Sequence, residues 1–220
     1  LDPEYWAVVE QIFHAALGCS DLALADKMLA KLRKQFSNSI TVRRLAAMRL
    51  EAIGETRKAV KEYSSIVEAD RTDLAAMKRQ IAILRGNNDL KAAVESLNQL
   101  LQLFGGDVES WLEIADMYTI LGQHRHAAFC FEEVLLATPK SFQVWTRCAE
   151  CYYTAGEFLL ARKYFAKAAE LATEIAAESA AENSPARIKP LLGLCMACTA
   201  LVSSKSRLSP KDFALNRDLH

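Results

Sequence analysis

The sequence predicts an all-α fold, a right-handed superhelix in which helix hairpins stack as a solenoid. The first observation is a pattern of large, small and aromatic residues over 108–139 that returns over 142–173. The second observation is an alanine, and the third is a turn-forming residue. Both recur at the same interval as this pattern. The recurring positions are Trp111, Tyr118, Gly122, Ala127 and Phe131, matched by Trp145, Tyr152, Gly156, Ala161 and Phe165. A constant period of this size is typical of proteins whose neighbouring repeats bury a shared core.

The interval is that of the tetratricopeptide repeat, which has a period of about 34 residues. We predict a single domain over 1–220. Applied to this domain, the period gives five repeats, at 6–39, 40–73, 74–107, 108–141 and 142–175. Each repeat is expected to hold two helices, A and B. The B-helix alanine faces helix A, where axes about 8–10 Å apart admit only a small side chain: Ala25, Ala59, Ala93, Ala127 and Ala161. The turn between the helices favours residues that tolerate a left-handed backbone conformation. Gly54, Asn88 and Gly122 tolerate it, and Ser20 is less well suited to it.

The register changes after residue 173. Residues 174–187 are polar and rich in alanine and glutamate, which predicts that the last B helix runs long and then gives way to a loop. Residues 188–202, with the pair Leu192 and Gly193, predict another A-type helix. Ser209 followed by Pro210 is typical of a helix start, because serine caps a helix and proline fits its first turn. We therefore expect 176–220 to form degenerate helices that cap the solenoid.

Charge and hydropathy argue against several classes of function. The chain has 27 basic and 27 acidic side chains, so its bulk charge does not favour binding to nucleic acid or to a membrane surface. No apolar run reaches the roughly 20 residues of a membrane-spanning helix. The first residues lack the basic start of a signal peptide. The six cysteines fall within apolar helical patterns, which favours a reducing cytosolic compartment over a disulfide framework.

Two Cys-x-x-Cys pairs, at 148/151 and 195/198, have the spacing of zinc ligands. Zinc knuckles lie in turns, however, whereas both pairs fall within predicted A helices. We interpret the cysteines as structural, with a metal or redox site as the alternative. His124 and His126 lie in a turn at a spacing that does not give the i, i+4 face of a helical metal site, and we interpret them as solvated. In the absence of a catalytic or phosphate-binding motif, the sequence predicts no enzyme activity, no metal and no cofactor.

The remaining candidate for function is the concave groove that A helices line in such a solenoid. Its predicted lining includes Arg44, Glu51, Lys78, Arg79, Arg85, Glu109, Glu113, Asp116, Arg147, Glu150 and Tyr153. The lining is basic in the third repeat and acidic in the fourth. A solvated charged face explains this pattern as well as a binding surface does. The alternative is a bipolar cradle for an extended or helical partner segment, in which polar contacts set direction and register.

One known groove function is to grip the carboxyl terminus of a chaperone, with Lys, Asn, Asn, Lys and Arg at set places on three successive A helices. The corresponding places here hold Arg44, Met48, Arg79, Glu109 and Glu113. Both asparagines are absent, and two carboxylates would repel an incoming one. A generic co-chaperone or adaptor that binds peptide tails is therefore the less favoured alternative.

Several stretches go beyond the repeat pattern. They are residues 43–55 (RRLAAMRLEAIGE), 78–101, 107–118, 126–139 (HAAFCFEEVLLATP) and 161–171 (ARKYFAKAAEL). Together they resemble the family of subunit 2 of the endoplasmic reticulum membrane protein complex, through most of 1–175. The resemblance implies a scaffold that is peripheral on the cytosolic face of that membrane. It implies binding to cytosolic segments of membrane-embedded partner subunits and to a soluble companion subunit, in a complex that inserts transmembrane proteins.

Overall fold

The computed structural model describes residues 3–178 and 188–203. Within those ranges the chain forms eleven α-helices and no strand. The chain divides into two compact units, Leu1–Leu103 and Phe104–His220. The first unit contains α1 (Pro3–Gly18), α2 (Leu22–Gln35), α3 (Ile40–Ala52), α4 (Thr56–Ala69), α5 (Leu74–Gly86) and α6 (Leu90–Leu103). The second contains α7 (Val108–Ile120), α8 (His124–Ala137), α9 (Phe142–Thr154), α10 (Phe158–Glu178) and α11 (Ile188–Ser203).

The helix starts follow the period of the sequence. The helices α3, α5, α7 and α9, each the first of a hairpin, begin at residues 40, 74, 108 and 142. The second helices, α2, α4, α6, α8 and α10, begin at residues 22, 56, 90, 124 and 158. Both series advance by one constant step, the period of the repeat. A side-chain hydrogen bond repeats with them in the second unit: Trp111 Nε1 donates to the carbonyl of Gly105, and Trp145 Nε1 donates to that of Pro139, both at 2.8 Å.

Each hairpin turns at one residue with a left-handed backbone. The φ angle is positive at Ser20 (61°), Gly54 (83°), Asn88 (61°), Gly122 (72°) and Gly156 (78°). The next N–H then reaches the carbonyl five residues back, as from Gln123 to Tyr118 at 2.8 Å. This bond closes the helix end as a Schellman motif. Ser20, the residue least suited to the turn by its type, adopts the same conformation as the glycines.

The recurring alanine of the second helix is fully buried in every hairpin. Its exposed fraction is 0% at Ala25, Ala59, Ala93, Ala127 and Ala161. The large residue four positions later is at most 4% exposed, at Leu29, Tyr63, Leu97, Phe131 and Phe165. Because protein interiors are packed as densely as organic crystals, the alanine position has no free volume for a larger side chain.

The last two helices extend the second unit beyond the regular hairpins. Helix α10 has 21 residues against 14 in α8, as the polar stretch after residue 173 predicts. Helix α11 coincides with the A-type helix predicted at 188–202, and it packs on α10 through Gly193. A Cβ atom at Gly193 would lie 2.3 Å from a ring carbon of Phe165. The helix start predicted at Ser209 and Pro210 lies outside the described residues.

Candidate functional site

In the first unit, predicted groove residues form ion pairs between successive first helices. Arg44 of α3 places Nη1 2.9 Å from both carboxylate oxygens of Asp73, which caps α5. The Asp73 side chain is only 6% exposed, so this pair is shielded from water better than most surface pairs. Glu51 of α3 lies 3.5 Å from Arg79 of α5. Glu51 also accepts a hydrogen bond from Tyr63, and burial together with this carboxylate raises the pKa of the Tyr63 hydroxyl.

The second unit repeats this arrangement with other residues. Arg147 of α9 forms an ion pair with Asp116 of α7. Its guanidinium carbon lies 4.6 Å from the ring centroid of Phe131, which is cation–π geometry. Glu150 of α9 accepts from Lys189 of α11, with 2.8 Å between Oε1 and Nζ. Each pair therefore joins two A-type helices of the same unit.

These pairs change the interpretation of the charged lining. The sequence leaves open a solvated charged face or a bipolar cradle for a partner segment. In the structure, several of these acids and bases pair with each other between neighbouring helices. Lys78, Arg85, Glu109 and Glu113 also engage their surroundings. Paired charges attract a charged ligand less than free ones do. Partner binding by the lining stays a prediction.

The second unit contains a cavity of about 540 Å³ that touches all five of its helices. Three of the predicted groove residues, Arg147, Glu150 and Tyr153, line it. The rest of the lining is mostly apolar and is not predicted by the repeat pattern; it includes Phe131, Phe165, Leu192, Gly193 and Met196. These residues belong to second helices and to α11, while the groove prediction was confined to the A helices of repeats two to five. The sequence feature nearest to this lining is the pair Leu192 and Gly193 in the apolar helix α11.

His124 differs from the solvated side chain that the sequence predicts. It begins α8, is half-buried and lines the cavity. Its Nδ1 atom is buried and has no hydrogen-bond partner within the described part of the chain. A buried polar atom without a partner destabilises a fold by about 1–3 kcal/mol. His126 agrees with the prediction, since it is exposed, with its ring 5.3 Å from that of Tyr118.

The cysteines of α9 occupy core positions. Cys148 and Cys151 are 0% and 4% exposed, and burial raises the pKa of both thiols. Burial also raises the pKa of Cys130 to about 12. At neutral pH these thiols are protonated, and a protonated thiol is a weak nucleophile and a poor metal ligand. Residues 3–178 and 188–203 contain no group of three or more His, Cys, Asp or Glu side chains placed to hold a metal ion.

The first unit has a more polar cavity of about 620 Å³, lined in part by Asp26, Arg33, Arg43, Arg49 and Glu62. Arg49 Nε donates to Asp26 at 2.7 Å, and this hydrogen bond holds the pKa of Asp26 below its usual value. Arg43 Nη2 lies 3.9 Å from Glu62. Much of the charge around this cavity is therefore compensated within the unit.

No helix in the described ranges is both long enough and apolar enough to cross a membrane. Solved structures resemble the chain in fold. The crystal structure of MamA protein superposes with a TM-score of 0.61 at 20% identity, covering 80% of this chain and 96% of that one. A MamA double mutant gives a TM-score of 0.59 at 14% identity, with 78% and 97% covered. At such low identity the likeness concerns the fold alone.

Known sequences give a closer relationship. ER membrane protein complex subunit 2-A of Xenopus laevis is 37% identical over 174 residues, which are 78% of this chain and 59% of that protein. TPR repeat protein oca3 of Schizosaccharomyces pombe is 30% identical over 176 residues, covering 78% and 62%. ER membrane protein complex subunit 2 of Dictyostelium discoideum is 29% identical over 218 residues, covering 97% and 67%. The chain thus spans about three fifths to two thirds of the length of these relatives.

The family model that matches is the EMC2 TPR-like repeat domain, over residues 22–151. This range is more than half of the chain and includes α2–α8 and most of α9. With the fold of the solved neighbours, it confirms the predicted all-α tetratricopeptide-repeat solenoid. It also confirms the family that the quoted stretches resemble. The chain belongs to the family of ER membrane protein complex subunit 2.

Proposed function

We propose that this chain is a non-catalytic scaffold subunit of the ER membrane protein complex. In this proposal it is peripheral on the cytosolic face of the membrane. It binds cytosolic segments of membrane-embedded partner subunits together with a soluble companion subunit, and so supports the insertion of transmembrane proteins. The observation that carries the proposal is the family match over 22–151. A shared fold alone does not imply a shared function. The geometry of the chain gives a separate reason to favour binding over catalysis.

That reason is that potentially reactive side chains of the second unit are either ion-paired or buried. In the second unit, Asp116 and Glu150 form ion pairs with basic residues, and Cys148 and Cys151 are buried in the core. An activated nucleophile or general base needs an accessible group with a suitable pKa. The side chains around the cavity instead combine apolar surface with neutralised charge, which suits a docked segment of another protein.

Affinity purification of the tagged full-length protein from solubilised cell membranes tests the proposal. The expected result is that other subunits of the complex co-purify. A groove variant carrying Lys78→Glu, Arg79→Glu and Arg85→Glu is expected to lose at least one partner. A matched variant carrying Arg57→Glu, Lys61→Glu and Lys91→Glu, all exposed on second helices, is expected to retain every partner.

Two results would count against the scaffold role. One is a wild-type protein that brings down no subunit of the complex, and the other is a folded groove variant that keeps all of them. The proposed location has its own test on sealed microsomes. Protease added outside the vesicles is expected to digest the protein, and protection until detergent is added would place it on the luminal side.

The generic adaptor for peptide tails remains the alternative. Its carboxylate-gripping form is disfavoured because Arg44 is held by Asp73 and Met48 is only 9% exposed. Calorimetry with a short acidic peptide that ends in a free carboxylate separates the two functions. Micromolar binding that Arg44→Ala abolishes would favour the adaptor over the scaffold.

A further inference from the structure

Unpaired positive charge in the first unit is concentrated on the solvent side of its second helices. We propose that this side of α2 and of the first half of α4 is a docking surface for an anionic lipid membrane. We call this surface the basic face, and its members are Lys27, Lys31, Lys34, Arg57 and Lys61, all exposed. The inference rests on the proposed scaffold function only in taking the membrane to be that of the endoplasmic reticulum, and the charge pattern is a property of this chain alone.

Three members of the basic face lie in line on α2. Lys27, Lys31 and Lys34 follow one another at i, i+4 and i+7, which places them on one side of the helix. The other side of α2 is buried in the core through residues such as Leu29 and Leu32. The packing of α2 therefore holds the three ammonium groups toward solvent, over about two turns of helix.

Helix α4 extends the basic face sideways. Lys61 holds the repeat position on α4 that Lys27 holds on α2, and Arg57 lies one turn before it. Successive repeats of a solenoid are related by a small rotation, so equivalent positions point to the same side of the unit. The bases therefore form a patch that spans two successive second helices.

The members of the basic face differ from most bases of the groove lining because they have no acidic partner. Among residues 3–178 and 188–203, no member of the basic face takes part in an ion pair. The one acid of α2, Asp26, is held by Arg49. Charge that is not neutralised within the chain stays available to a partner. The bases of the first unit that are paired include Arg43, Arg44, Arg49, Lys58 and Arg79.

Two exposed acids mark the edges of the basic face. Glu68 lies near the end of α4, two turns after Lys61. On α6, Glu95 holds the repeat position of Lys61 and comes one turn after Lys91, so Lys91 is balanced on its own helix. Screening limits the reach of an exposed charge to about 8 Å at physiological ionic strength. The balance within the basic face therefore governs the attraction of a partner, and the neutral total charge of the chain does not.

The layout of the basic face fits a charged surface as its partner. None of its members lines the cavity of the first unit, so they do not converge on that cavity to hold a small anion. Four of the five are lysines, whose ammonium groups are point charges on flexible stems and lack the fixed fork with which arginine grips a single phosphate. Leu24, on the same side of α2, is 36% exposed and supplies an apolar side chain for the headgroup layer. Clusters of basic residues are attracted to the anionic lipids of cytoplasmic leaflets.

Co-sedimentation of the full chain with lipid vesicles tests the proposal. Vesicles of phosphatidylcholine with one third phosphatidylserine provide the anionic surface, and vesicles of phosphatidylcholine alone provide the neutral one. The expected result is binding to the anionic vesicles only, weakening as salt is added, because salt screens exposed charges. Lys27→Gln combined with Lys31→Gln is expected to weaken this binding about 25-fold, since each base near an anionic surface contributes a factor of about 5.

The matched control removes the same charge elsewhere. Lys140→Gln combined with Lys163→Gln changes two exposed lysines of the second unit that lie outside the basic face, and vesicle binding is expected to stay unchanged. Glutamine forms helices about as readily as lysine, and circular dichroism reports whether each variant is folded. Should the Lys27 and Lys31 variant fail to fold, Lys31→Gln combined with Lys61→Gln replaces it, with the same expected loss.

Three results would overturn the proposal. The first is equal binding to both kinds of vesicle or binding to neither, and the second is an equal loss in the test and control variants. The third concerns an acidic protein segment as the partner, for which poly-L-glutamate is the probe. Binding of poly-L-glutamate at physiological salt, without binding to anionic vesicles, would assign the basic face to a protein.

The same variants separate this proposal from the scaffold function. The variant of Lys27 and Lys31 is expected to lose vesicle binding and still to bring down the other subunits from detergent. Arg57 and Lys61 serve as controls in that co-purification because detergent has replaced the membrane there. Co-purification without binding to anionic vesicles removes only the lipid surface, while vesicle binding without co-purification removes only the scaffold role.

Discussion

At the scale of single residues, the hairpin turn at Ser20 carries backbone strain that the three glycine turns avoid. Ser20 has a φ of 61°, as does Asn88, whereas the other three turns use glycine. A left-handed backbone conformation costs a residue with a Cβ about 1–2 kcal/mol. Replacing that residue with glycine removes the strain, but glycine loses more entropy on folding, which offsets part of the gain. We predict that Ser20→Gly raises the free energy of unfolding by roughly 0.5–1 kcal/mol, measured by urea denaturation.

The control for this prediction is Ser39→Gly. Ser39 precedes α3 with a φ of −73° and makes no capping hydrogen bond through its side chain. Glycine there relieves no strain and adds entropy to the unfolded chain, so stability is expected to stay the same or fall slightly. If both substitutions had the same effect, the strain assigned to Ser20 would be wrong.

The buried alanines give a second prediction at this scale. Ala161 of α10 is 0% exposed, and a larger side chain there has to push the paired helices apart. Ala161→Leu is predicted to lower the free energy of unfolding by about 1–3 kcal/mol, as seen in thermal or urea denaturation. Ala166→Leu changes an exposed position of the same helix and should be close to neutral. An unchanged melting temperature in the Ala161 variant would contradict the role given to the repeated alanine.

At the scale of elements, the attachment of α11 depends on Gly193. A Cβ at this position would lie within 2.6 Å of three ring atoms of Phe165, and that ring is only 3% exposed, so it has little room to move. We predict that Gly193→Ala costs about 1–3 kcal/mol and speeds hydrogen exchange in α11 relative to α9. Gly86→Ala is the matched control, because nothing lies within 4 Å of a Cβ there. Equal protection of α11 in wild type and variant would show that the contact is not needed.

The positions of most helices can be predicted from the sequence. A constant repeat period predicts where each helix of a hairpin begins, and the observed helix starts advance by that same period. The reason is that Gly122 and Ala127 act locally: the first sets the turn conformation, and the second sets how closely two adjacent helices approach. Interactions of this kind depend on residues near in the chain, so a linear pattern records them.

The pairing of charges could not be predicted in the same way. The repeat position of Arg44 predicts that it lies in the groove, but its partner Asp73 is 29 residues away and is not among the residues predicted to line the groove. Such a pair depends on side-chain rotamers and on the offset between two helices, which the repeat pattern does not specify. The prediction that His124 is solvated is wrong for a related reason, because the cavity that it lines is completed by helices that follow it in the chain.

At the scale of the whole molecule, the cysteines distinguish a structural role from metal or redox chemistry. Cys19 and Cys195 are exposed, whereas Cys130, Cys148, Cys151 and Cys198 are buried and all six are free. Burial raises the pKa of each of the four buried thiols. Both access and thiolate content therefore limit their reaction with a disulfide reagent.

We predict that two thiols per native chain react rapidly with Ellman's reagent and that all six react after denaturation. The double variant Cys19→Ser and Cys195→Ser should lose the rapid phase and keep four thiols in the denatured count. Rapid reaction of Cys148 or Cys151 would mean that α9 is not packed as described. A denatured count below six would reveal a disulfide, and zinc found by elemental analysis of the purified protein would revive the metal interpretation of the Cys-x-x-Cys pairs. A full count without metal leaves Cys148, Cys151 and Cys198 as small apolar residues of the buried helix contacts.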